Sequence, residues 1–99
     1  MVNNRSEIVR AHIWVKGHVQ GVGFRAHVEY HALRMGALGW VRNVGFDTVE
    51  AIVEGTREVA ERFIQMIKRG PRMSHIDELK VEWEAATGEF AGFMVNQNI

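Results

Sequence analysis

The sequence predicts an α+β fold in which two helices cover one face of a four-stranded antiparallel sheet, in the order β-α-β-β-α-β. Two kinds of periodicity and one kind of punctuation predict it. Stretches near each end alternate apolar with polar residues, two others carry apolar residues at helical spacing, and glycines stand at the joints.

The first strand is residues 8–16, IVRAHIWVK, with Val9, Ala11, Ile13 and Val15 on one face and Arg10, His12, Trp14 and Lys16 on the other. From Phe24 the period changes: Phe24, Val28, Ala32 and Met35 recur at steps of four, four and three, and Gly36 supplies a helix stop. Residues 38–43 and 48–54 read as paired strands joined through VGFD, a hairpin connection. Thr56 is the expected N-cap of a second helix with the apolar stripe Val59, Phe63, Met66 and Ile67, which Gly70-Pro71 ends. Leu79, Val81 and Trp83 alternate with Lys80, Glu82 and Glu84 in the last long strand, and GFMV at 92–95 adds a short edge strand. Trp14 falls on the uncovered sheet face, near Ile52, while Trp40 and Trp83 read as packing residues. The whole is the ferredoxin-like arrangement, which hosts many unrelated functions, so the site must decide among them.

Ninety-nine residues, 46% of them hydrophobic, fit a single domain over 1–99, with 1–7 as a flexible N-terminus. Zero cysteines exclude a disulfide scaffold and any thiolate ligand or nucleophile. His12 and Lys16 interrupt the N-terminal apolar run, so neither a signal peptide nor a membrane span is read, and a cytoplasmic monomer is expected. Twelve basic and twelve acidic residues cancel, which argues against a general nucleic-acid binder. The balance is uneven: residues 1–43 carry six basic and two acidic side chains, and residues 44–99 carry six and ten. The connector between first strand and first helix therefore lies in a positive region of the chain, where an anion is attracted.

That connector is GHVQGVGFR, residues 17–25. Its glycines permit positive φ and close approach of backbone N–H groups, which in succession form an anion-binding nest beside a helix N-terminus. Arg25 adds a planar fork of donors suited to phosphate oxygens. Taken alone, the residues leave two readings open, an anion cradle or an ordinary glycine-containing turn beside a solvated arginine. Known nucleotide loops do not fit, since no Gly-Lys-Ser/Thr follows and Ala26 replaces the third glycine of G-x-G-x-x-G. An RNA-recognition domain carries its similar motif on the third strand with stacking aromatics, and TVEAIVE has none. His27 and His31 stand at i, i+4, but HVEYH lacks the H-E-x-x-H order and no third ligand has a recognisable spacing, so no metal site is expected.

GHVQGVGFR followed by GWVRN at 39–43 closely resembles the acylphosphatases. So do EG at 54–55, GP at 70–71, SHID at 74–77, and TGEF with GF across 87–93, in matching order from about residue 9 to residue 95. The resemblance implies hydrolysis of the carboxyl–phosphate bond of small acyl phosphates without a metal or other cofactor. It implies that the amides of Gln20, Gly21, Val22, Gly23, Phe24 and Arg25, with the Arg25 side chain, hold the phosphate, and that Asn43 orients the attacking water. Such sparse equipment suits the chemistry: the leaving carboxylate has a conjugate acid of pKa about 4, so no general acid is essential. Two positions depart from the family. His18 stands where Arg or Lys is usual, which weakens the positive rim. Gly45-Phe46-Asp47-Thr48 replaces a turn that commonly holds Asp-Gly, which bears on substrate preference more than on activity. A non-catalytic anion-binding regulatory module is the alternative, because related domains begin hydrogenase-maturation carbamoyltransferases.

Overall fold

A computed structural model describes residues 7–99; the flexible stretch expected over 1–7 lies, Glu7 aside, outside the described residues. The elements run β1 (Ile8–His18), α1 (Phe24–Met35), β2 (Leu38–Val44), β3 (Thr48–Thr56), α2 (Arg57–Arg69), β4 (His75–Ala85) and β5 (Phe93–Val95). They form one sheet in the order β4-β1-β3-β2-β5 with both helices against the same face, α2 over β3 and β1, and α1 over β2 and β5.

The alternation in β1 decides which face is covered. Val9, Ala11, Ile13 and Val15 are buried against Phe63 and Ile67 of α2 and Val28 and Ala32 of α1, in one continuous core. β3 is antiparallel to β1 and sets Ala51 opposite Ile13 and Val53 opposite Ala11, so its small and branched side chains share that face. Gly36 ends α1 in the left-handed conformation at φ 70, and the Ala37 N–H reaches back to the Ala32 carbonyl at 3.0 Å. Thr56 caps α2 as expected, its Oγ1 accepting from the Val59 N–H at 3.2 Å.

The short edge strand is parallel to β2, whereas the four long strands are antiparallel, so the sheet is mixed. Beyond it the chain keeps following β2. The Asn96 N–H donates to Val41, the Ile99 N–H to Asn43, and the Gly45 N–H to Ile99.

The open face carries ion pairs and aromatics. Trp14 lies there, but it stands opposite Glu50 and stacks on His12 with ring centroids 3.8 Å apart; Ile52 is opposite His12. Trp40 also lies on the open face, with the Arg42 guanidinium 4.7 Å from its ring. Trp83 points toward the helices, yet at the edge it stays 42% exposed, covered by Arg57 at 4.5 Å instead of by apolar neighbours. Among the described residues, no helix is long and apolar enough to cross a membrane.

Candidate active site

The site forms where β1 leaves the sheet. The β1–β4 register slips between Lys16 and Gly17, where a Cβ on residue 17 would meet the His75 carbonyl oxygen, so the bend needs glycine. The Gly17 N–H then donates to the Asp47 carbonyl at 2.9 Å. Val19 and Phe24, both buried in the core, anchor the two ends of the loop between them. Gly21 and Gly23 adopt φ 73 and 78, which side chains bearing a Cβ tolerate poorly. A Cβ at either would meet open space, so conformation, not crowding, demands glycine there.

Gly23 is also the N-cap of α1, and it offers no side chain to satisfy the first amides. No acidic residue stands in that first turn. The residues of this helix start, with the positive end of the helix dipole, line a cavity of about 310 Å³. Gln20, Gly21, Gly23, Phe24, Arg25 and Asn43 line it together. Val22, also expected at the site, turns its side chain onto the core instead.

Arg25 sits in the first turn of α1, half-buried, and its Nη1 donates to Asn98 Oδ1 at 2.8 Å. Asn43 comes from the far end of β2 on the covered face, opposite Val49, and is only 6% exposed. Its side-chain Oδ1 is buried with no hydrogen-bond partner among the described residues. An acceptor in that state costs roughly 1–3 kcal/mol unless a donor is supplied, which points to a ligand or a water in the cavity.

Two features of the site have no signal in the sequence pattern. The Gln20 side chain does not face the cavity's centre alone: its Nε2 donates to the carbonyls of Val44 (3.3 Å), Gly45 (3.1 Å) and Thr48 (2.9 Å). It thereby locks the loop to the hairpin that carries Asn43. Asn98 is the second, brought in by the chain running beside β2. Glu29 and Val95 also line the cavity, contributing a carboxylate and an apolar wall. His18 is exposed at the end of β1 opposite His75, and Phe46 is 87% exposed at the hairpin tip.

His27 and His31 meet edge to face, centroids 4.5 Å apart, and no metal-binding group of three His, Cys, Asp or Glu occurs among the described residues. Burial, with help from His31 and Arg69, holds His27 below the ordinary histidine value, favouring its neutral form.

A model of the acylphosphatase family matches residues 11–95. The acylphosphatase of Aeropyrum pernix is 49% identical over 92 residues, covering 92% of this chain and 91% of that protein. The crystal structure of acylphosphatase from Bacillus subtilis superposes with a TM-score of 0.85 at 30% identity, covering 89% of this chain and 98% of that one. HypF from T. kodakarensis superposes at 0.77 with 34% identity over 89% of this chain, which spans only 12% of HypF. Nearly full-length agreement with the small proteins, in sequence and in fold alike, leads to one assignment: the chain belongs to the acylphosphatase family.

Proposed function

We propose that the chain hydrolyses small acyl phosphates at the cavity between the 20–25 loop and Asn43. In this reading water attacks phosphorus, the bond from phosphorus to the carboxyl oxygen breaks, and carboxylate and inorganic phosphate leave. Membership of the family makes the chain a hydrolase; the residue roles are the added step. The amides of Gln20 through Arg25 and the Arg25 guanidinium hold the phosphoryl oxygens. Phosphoryl transfer spreads charge over those oxygens, so fixed donors can supply most of the catalysis. Asn43 Oδ1 accepts a hydrogen bond from the attacking water; an amide is no base at neutral pH, but it orients. A substrate phosphate oxygen takes the water's proton.

The observation that carries this reading is the buried, unpartnered Oδ1 of Asn43 in the same cavity as Arg25. The test is hydrolysis of acetyl phosphate in excess EDTA. Wild type should turn over, and Asn43→Ala should lower kcat by about a hundredfold with a smaller change in phosphate affinity. A pure KM effect would contradict the role given to Asn43. A second reading, an anion-binding module without turnover, draws on the likeness to a short stretch of HypF. Phosphate binding without hydrolysis would favour it.

A further inference from the structure

We infer that Asn98 is a positioning residue for Arg25, so that the segment following β5 holds the Arg25 side chain and the Asn43 backbone. The inference rests on reading the cavity as a phosphate site. Arg25 has a long, flexible stem, and a guanidinium useful to an anion must be held in one plane. Asn98 Oδ1 accepts from its Nη1 at 2.8 Å, a contact between residues 73 apart in sequence. A guanidinium has five N–H donors, so one hydrogen bond to Asn98 fixes the fork and leaves four for phosphoryl oxygens.

Hydrogen bonds on both sides of Asn98 hold its backbone beside β2. Its neighbour Ile99 is tied on both sides, donating to the Asn43 carbonyl at 3.0 Å and accepting from the Gly45 N–H at 2.7 Å; Asn96 donates to Val41 at 2.8 Å. The same strap therefore grips the backbone of Asn43 and the side chain of Arg25. The chemistry of residue 98 matters as well as its place. A neutral amide orients the guanidinium and leaves its charge intact, whereas a carboxylate at the same point would pair with it and oppose an incoming anion. One carboxylate, Glu29, already lines the cavity, from α1.

The experiment compares wild type, Asn98→Ala, Asn98→Asp and Gln97→Ala, reading inorganic phosphate affinity by calorimetry, kcat and KM on acetyl phosphate, and the melting temperature. Gln97 is exposed on the same segment and serves as the control. Asn98→Ala should weaken phosphate binding about fivefold and lower kcat, with the melting temperature unchanged. Gln97→Ala should match wild type. Asn98→Asp should bind phosphate more weakly than Asn98→Ala at neutral pH. It should regain affinity, relative to wild type at each pH, as the new carboxyl is protonated; Glu29 is common to both proteins and cancels. Phosphate affinity unchanged in Asn98→Ala, equal losses in Asn98→Ala and Gln97→Ala, or an Asp variant that tracks the Ala variant at every pH would each overturn the inference. Wild type that binds phosphate without hydrolysing acetyl phosphate would end the enzymatic reading and leave this one standing. Wild type that binds no phosphate would end both.

Discussion

Glu54 and Asn43 are both polar, both buried, and stand at opposite ends of the same two-stranded hairpin. Glu54, 2% exposed, accepts from Arg10 Nε at 2.8 Å, from the amides of Thr87 at 2.8 Å and Gly88 at 3.1 Å, and from the Thr87 hydroxyl. Asn43 Oδ1 has no partner among the described residues. The helix starts repeat the contrast. Next to Glu54, α2 begins with a Thr56 cap and Glu58 in its first turn; next to Asn43, α1 begins with Gly23, without a side-chain cap or an acid. One end of the sheet satisfies its polar groups from within, and the other leaves donors and an acceptor facing a cavity. Under the proposed function, the difference separates stability from activity: the closed end is held from within, and the open end awaits the phosphate.

Removing the Arg25 side chain from the open end should cost activity, not stability. Arg25→Ala should lower kcat/KM on acetyl phosphate by about a hundredfold or more, on the order of 3 kcal/mol of barrier, with thermal unfolding little changed. Full activity in that variant would sink the assignment of the site.

Breaking the closed end should do the reverse. Glu54→Gln should destabilise the fold by about 2 kcal/mol in denaturant titration, since hydrogen bonds to a buried charge are lost. Burial raises the Glu54 carboxyl, but the Thr87 and Gly88 amides and Arg10 more than offset this, so it sits below the ordinary 4.5. The unfolded chain then takes up the proton first. The contribution of Glu54 is present above about pH 4.5 and fades as pH falls toward its lower folded value. Wild type and Glu54→Gln should converge in stability on acidification below that point; parallel curves would show that the carboxyl is not held ionised. The lowered His27 acts with the same sign in a higher window, below its ordinary 6.5, and is common to both proteins.

The capping contrast separates the two ends with smaller effects. Gly23→Ala forces a Cβ into φ 78 and should cost roughly 1–2 kcal/mol of stability, with a loss of phosphate affinity as the loop relaxes. Thr56→Ala removes the α2 cap and should cost about 1 kcal/mol with activity untouched. If Thr56→Ala also weakened phosphate binding, the two ends would be coupled and their separation would fail.

Much of the closed end and half of the open one can be read from residue order. The period-two pattern of Val9 to Val15 and the steps from Phe24 to Ala32 state their buried faces directly, because a side chain's burial follows its own position in the period. The loop is legible as a glycine turn between β1 and α1, and the place of Asn43 beside it through a family motif. The rest depends on who lies beside whom. Gln20 bonds three backbone carbonyls, which leave no mark on the identity of the residues that own them. The parallel direction of β5 cannot be read from three residues, and NQNI at 96–99 pairs through main-chain groups that impose no side-chain pattern. Trp83 misleads for a related reason: its face follows the period, but an edge strand has too little cover to bury an indole.

The hydrogen bond between Arg25 and Asn98 also bears on the order in which the molecule is completed. Residues 96–99 hydrogen-bond along β2, through Asn96 to Val41 and Ile99 to Asn43, so the contact between Arg25 and Asn98 requires β2 to be in place first. The expected order in refolding is therefore β2 first and the Arg25–Asn98 contact after it. The return of phosphate binding, timed against the return of secondary structure, would trace that last docking step.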